Sequence, residues 1–166
     1  MAEYVHYGSQ HFDRERFVPV KNGRNFLPKP AARTGLWASR VGDENGWETW
    51  CRHNQFKTER LEVSFRFTMP NADILTLKAP EDLLPLPKIY QWDYDLFMNE
   101  SEMAEFDFLR GIVPQWCYLD YEALAEEYDA IELINSELFY NALYSWDCNC
   151  LLVLKAEKLT EIPLLN

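Results

Sequence analysis

The residues Leu61-Glu62-Val63-Ser64-Phe65-Arg66-Phe67-Thr68 alternate apolar and polar side chains without a break. A period of two places every second side chain on one face, so this stretch predicts a strand with one face buried and one wet. Such a strand needs a sheet to join. A second run, Cys150-Leu151-Leu152-Val153-Leu154, is apolar throughout and suits a central strand covered on both faces. Further strands are expected over 3–8, 35–39, 72–77 and 128–134, with a short extended piece at Phe17-Val18-Pro19-Val20. Helices are expected at 47–54, where Trp47, Trp50 and Cys51 share a face, and at 120–127 with Asp120 as cap. A further helix is expected at 136–144 capped by Ser136, and one helical turn at 81–84. Strands and short helices mix without regular β-α-β alternation. The fold class is therefore α+β, one domain over residues 1–166 with a mixed, split central sheet. Residues 88–116 interleave aromatics with acids and show no clean period. They are expected to form an insertion or lid.

The net charge is −11, with acidic clusters at 100–105 and 122–127. An acidic surface repels a phosphate backbone unless a local basic patch exists. The first 40 residues hold the candidates Arg14, Arg16, Lys21, Arg24, Lys29 and Arg33. No apolar run is long enough to cross a membrane, and the N-terminus has neither a basic nor an apolar leader segment, so a cytoplasmic protein is expected. The cysteines are Cys51, Cys117, Cys148 and Cys150. Neither they nor the three histidines show zinc-ligand spacing, so no metal site is expected. The apolar neighbours of Cys150 predict a buried, reduced thiol. Phosphate-binding glycine signatures and the nucleophile elbow are both absent.

Two segments carry chemistry. His6-Tyr7-Gly8-Ser9 closes the first expected strand with an imidazole, a glycine and a hydroxyl. A histidine in that position can bond ribose hydroxyls, while small residues let a ligand approach the backbone. Gly35-Leu36-Trp37-Ala38-Ser39 opens the second on a glycine and closes it on a serine. Trp37, with Trp47 and Trp50, offers faces for a flat heterocycle. Asp147, just before the apolar run, and Glu132, on the 128–134 strand, are carboxylates suited to orienting a ribose or stabilising an oxocarbenium-like state.

These segments resemble the ADP-ribosyltransferase fold in its diphtheria-toxin and poly(ADP-ribose) polymerase branch. There a His-Gly-(Ser/Thr) segment ends the first core strand and a Gly-aliphatic-Tyr-aromatic-(Ala/Ser) strand follows. A second tyrosine lies about three helical turns later, and a glutamate starts a late strand. His6 is similar to the family histidine, with Tyr7 inserted before Gly8-Ser9. Trp37 stands where the first tyrosine would be, and Trp50 lies near the second aromatic. Tyr128-Asp129-Ala130-Ile131 looks like a strand of several bacterial members. No glutamate stands at the catalytic position, where Asp147-Cys148-Asn149-Cys150 runs instead. The chain is also similar to small bacterial and phage proteins with no function attached.

The resemblance implies NAD as substrate. Nicotinamide would lie near Trp37, His6 on a ribose, Ser9 or Ser39 on the carboxamide or ribose, and Asp147 or Glu132 at the departing bond. ADP-ribose would then pass to a protein or nucleic-acid acceptor. The alternative is a catalytically inactive nucleotide- or protein-binding module, such as a phage or mobile-element inhibitor. A third expectation is an interaction protein whose acidic surface and aromatic 90–108 segment cover a basic partner.

Overall fold

The computed structural model describes residues 1–23, 27–89 and 116–163. The strands are β1 (Tyr4–Tyr7), β2 (Leu36–Arg40), β3 (Ser64–Thr68), β4 (Ile74–Leu77), β5 (Ala130–Leu133), β6 (Cys150–Val153) and β7 (Thr160–Ile162). The helices are α1 (Trp47–Asn54) and α2 (Tyr121–Glu127), joined by 3-10 turns at Thr58–Glu62, Pro80–Leu83 and Ser136–Phe139. The seven strands form one mixed sheet in the order β4-β5-β6-β2-β1-β3-β7. Only β4 and β5 pair in parallel. The fold is thus a small single domain of the α+β class.

The sheet is the middle layer, and its pleat sorts side chains into two cores. Tyr4, Ala38, Phe65, Phe67, Ala130, Leu151 and Val153 fill one face. Ile131, Leu133, Cys150, Leu152 and Leu77 fill the other, under α2, the 136–148 segment and the half-buried Trp37, Trp47 and Trp50. The run at 150–154 is buried throughout because β6 is central, with β5 and β2 beside it. All four cysteines are buried, and none is in a disulfide.

β2 is the hinge of the sheet. Its first three residues pair with β6 (Leu36↔Val153, Trp37↔Leu152, Ala38↔Leu151), and its last two pair with β1 (Ser39↔Val5, Arg40↔Tyr4). Beyond Val5, β1 continues against β3 alone, through His6↔Phe65 and Tyr7↔Ser64. The sheet therefore parts between His6-Tyr7 and the start of β2.

Several expectations change. The alternating strand begins at Ser64, because Lys57 takes a left-handed backbone (φ 45°) and opens a 3-10 turn over Thr58–Glu62. The helix expected over 136–144 is only the turn Ser136–Phe139. Asn135 enters it left-handed, and Ser136 caps nothing; its N–H donates to Asn149 Oδ1 at 2.9 Å. Asp120 does cap α2, accepting from Ala123 N at 3.0 Å. Residues 17–20 form no strand, though Val20 N donates to Leu154 O at 2.9 Å. β7, too short for its pattern to stand out, closes the edge on β3. The expected insertion or lid falls almost entirely outside the described residues, as does the 90–108 segment. Its flanks meet, with Ile89 N donating to Tyr118 O at 2.8 Å. Among the described residues no helix is long and apolar enough to cross a membrane.

Candidate functional site

Where β1 and β2 part, a cleft of 490 Å³ opens. That size lies within the usual range of small-molecule sites. Its floor and walls come from β1 (His6, Tyr7), the strand entry Lys29–Trp37, the residues around α1 (Trp47, Phe56, Lys57, Arg60), and Ser145–Cys148. The sequence builds this opening with two devices. Gly35 takes φ +66°, and a Cβ there would lie 2.9 Å from both Val153 O and Leu152 Cδ1. Only glycine lets the chain turn into β2 so close to β6. The second device is the His6 ring. Its Nδ1–H donates to Trp37 O at 2.7 Å, supplying the donor that continued β1–β2 pairing would have given.

That bond fixes the tautomer. With Nδ1 protonated, Nε2 of a neutral imidazole is an acceptor. Desolvation lowers the His6 pKa below its ordinary value of 6.5, only partly opposed by the bond to Trp37, so the ring is neutral at pH 7. Trp37 is half-buried and meets Trp146 edge-on at 4.7 Å between centroids. Trp146 is itself held by Nε1 donating to Pro28 O at 2.9 Å and by the parallel Tyr121 ring at 6.4 Å. Trp47, stacked on Trp50 at 5.2 Å, and Phe56 add aromatic surface beside the cleft.

The electrostatics of the cleft oppose those of the whole molecule. Lys29, Arg33, Lys57 and Arg60 line it, and among the described residues none of the four has an ion pair. Lys57 Nζ lies over the Phe56 ring at 4.9 Å. Among the described residues Asp147 is the only carboxylate that lines the cleft. It stands exposed at the rim, yet desolvation by the cleft wall raises its pKa against the opposing pull of Lys29. Of the seven non-glycine residues with left-handed backbone among those described, Arg33 (φ 64°), Lys57 (φ 45°) and Ser145 (φ 76°) line this cleft. Backbone of this kind is costly and gathers at functional sites.

The structure brings together His6, Tyr7, Gly35, Trp37 and Asp147. Tyr7 serves as a brace, since its hydroxyl donates to Glu48 Oε2 on α1 at 2.7 Å. The other candidates lie elsewhere. Gly8 and Ser9 pass beyond the end of β1, where Gly8 N donates to Val63 O at 2.7 Å. Ser39 is buried and committed: its Oγ donates to Asn149 O at 3.2 Å and accepts from Trp47 N at 2.9 Å, tying α1 to the sheet. Trp50 lines a second, neighbouring cleft of 590 Å³ with Thr49, His53 and Asn54. Glu132 does not line the cleft; it lies on β5 beside Tyr4 and Arg40. It is 4% exposed, accepts both Arg40 Nε (2.6 Å) and Nη2 (2.7 Å), and takes the Tyr4 hydroxyl at 3.3 Å.

The basic N-terminal region does not form one patch. Lys29 and Arg33 reach the cleft, whereas Arg14 donates to Ala156 O and Leu159 O, Arg16 pairs with Asp13, and Lys21 pairs with Glu122. Arg24 lies outside the described residues. Sequence reasoning missed Lys57 and Arg60. Their spacing of three on a helical turn was the available signal. It also missed Ser145 and Trp146, which no pattern distinguishes from neighbouring loop residues.

Comparison with protein-family models, with curated proteins and with solved structures finds no match. The reading of the site rests on its own geometry.

Proposed function

We propose that this chain is a nucleotide-binding domain of ADP-ribosyltransferase-like design whose substrate is NAD. The observation that carries the reading is the cleft between β1 and β2. It sets a neutral histidine and a tryptophan beside four unpaired cations on a protein of net charge −11. A dinucleotide carries both halves of the matching chemistry, flat heterocycles and a dianionic pyrophosphate. Nicotinamide lies against Trp37, as aromatic faces favour offset or edge contacts with a flat ring. Nε2 of His6 accepts from a ribose hydroxyl. Lys29, Arg33, Lys57 and Arg60 neutralise the pyrophosphate, with charge-assisted bonds stronger than neutral ones.

In the transfer reading, the bond between the ribose anomeric carbon and the nicotinamide nitrogen breaks, and its electron pair leaves with nicotinamide. The ribose takes on oxocarbenium character, which the Asp147 carboxylate stabilises electrostatically. An acceptor nucleophile on a protein or nucleic acid then bonds that carbon and gives up a proton.

A second reading keeps the binding and drops the chemistry. One observation favours it: among the described residues Asp147 is the only carboxylate lining the cleft, and Glu132 is spent in an ion pair outside it. The domain would then sequester a nucleotide or block a partner. Asp147→Ala separates the two. The transfer reading expects nicotinamide release by the wild type to drop at least a hundredfold in the variant while NAD still binds. Binding by both proteins with no release by either establishes the sequestering reading instead.

A further inference from the structure

Three exposed aromatic rings touch one another beside the second cleft. The stretch 138–144 sends Phe139, Ala142 and Leu143 into the core and leaves Leu138, Tyr140 and Tyr144 outside. Tyr140 is 70% exposed and Tyr144 40%. The Tyr140 ring meets Tyr144 edge-on at 5.9 Å, and Tyr144 stacks on the exposed Trp116 at 5.3 Å with the planes 5° apart. Scattered surface apolar residues are ordinary, but exposed aromatics in mutual contact form a patch of the kind found at protein interfaces.

Tyr140 joins this patch to the 590 Å³ cleft, whose wall it forms with Trp50. The charge of that cleft is the reverse of its neighbour's. Glu44, Glu137 and Asp147 line it, and among the described residues no lysine or arginine does. None of the three carboxylates is in an ion pair among those residues. Like charges around one opening repel each other, and a cation that enters relieves the cost. Carboxylates at the opening and aromatic faces at its edge are complementary to one side-chain group above others. A guanidinium forks onto a carboxylate with two parallel bonds and stacks on an aromatic ring, whereas an ammonium is a compact, strongly hydrated point charge.

We infer that the 590 Å³ cleft and the adjoining Tyr140-Tyr144-Trp116 patch form a docking surface for an arginine-bearing segment of a partner protein. An arginine enters between Glu44 and Glu137, and the flanking residues of the partner lie on the exposed rings. This surface is separate from the nucleotide cleft, and the inference stands whether or not that cleft takes NAD.

The test is calorimetry at physiological salt with a short glycine-spaced peptide carrying two arginines, its lysine counterpart, and free arginine amide. The proteins are the wild type, Tyr140→Ala, the double variant Glu44→Gln with Glu137→Gln, and a charge-matched control, Glu126→Gln with Glu127→Gln. Both control residues are exposed at the end of α2 and lie outside the cleft. Melts confirm that each variant is folded. The arginine peptide is expected to bind the wild type at one site. Its affinity is expected to fall roughly tenfold or more in the Glu44/Glu137 variant and several-fold in Tyr140→Ala, as charge-assisted bonds and ring contacts are lost. The control is expected to match the wild type, and the lysine peptide to bind more weakly. No binding by the wild type would overturn the inference. An equal loss in the charge-matched control would do so as well, because it would reduce the attraction to overall acidity. A lysine peptide as tight as the arginine one would contradict the guanidinium assignment, and free arginine amide as tight as the peptide would make the cleft a small-molecule site instead.

Discussion

Glu132 and Asp147 are both carboxylates beside central strands, and their surroundings give them opposite work. Glu132 is fully enclosed, bidentate with Arg40 and bonded by Tyr4, whose own phenol is pushed up to about 12, chiefly by burial and then by the Glu132 charge. Every lone pair with a use is taken. Asp147 has no such partner and faces the cleft. Glu132→Gln is therefore expected to destabilise the fold by about 2 kcal/mol. That is less than the roughly 3–5 kcal/mol of a fully buried pair, because Arg40 is half in water. NAD affinity in the folded variant is expected to stay at the wild-type level. Urea melts read the first quantity and calorimetry the second; lost affinity with unchanged stability would return Glu132 to the site. The sequence could not separate these residues. Both sit next to apolar runs, and what distinguishes them is a long-range partner, Arg40, 92 positions from Glu132.

At the scale of elements, β2 organises the site, and Gly35 is the residue on which β2 depends. Gly35→Ala would force a side chain into the left-handed region, at roughly 1–2 kcal/mol, and press its Cβ on the β6 backbone. The expected loss is about 2 kcal/mol or more in urea unfolding, together with weaker NAD binding because Trp37 follows two residues later. Unchanged stability would mean that β2 can enter the sheet without this turn. α1, the central strand β6 and the Asp120 cap were legible because local rules set them: periodicity of 3.6, a continuous apolar run, a side chain positioned to accept an orphan N–H. The helix expected over 136–144 and the start of β3 were not. Left-handed residues at Asn135 and Lys57 redirect the chain there, and neither is a glycine that would have announced it. The site was half legible on the same terms. His6, Gly35 and Trp37 lie on strands whose pairing follows from pattern, whereas Ser145 and Trp146 lie on a loop placed by contacts to Pro28 and Tyr121.

At the scale of the whole molecule, the acidic surface and the cationic cleft act together. With a net charge of −11 and four cations lining one cleft, the charges direct small anions to that cleft and repel extended polyanions. This favours a small anionic ligand over a nucleic-acid backbone at the binding step. The parting of the sheet beside β2 supplies the space, Trp37 the aromatic surface, and His6 the acceptor at its edge. All of this converges on one quantity, the affinity of the folded protein for NAD and its dependence on His6. The most direct measurement is a calorimetric titration of NAD into the wild type and into His6→Ala, with melts confirming that both are folded. The account predicts saturable binding at one site per chain in the wild type and its loss in the variant. No binding by the wild type, or equal affinity in the two proteins, would contradict it.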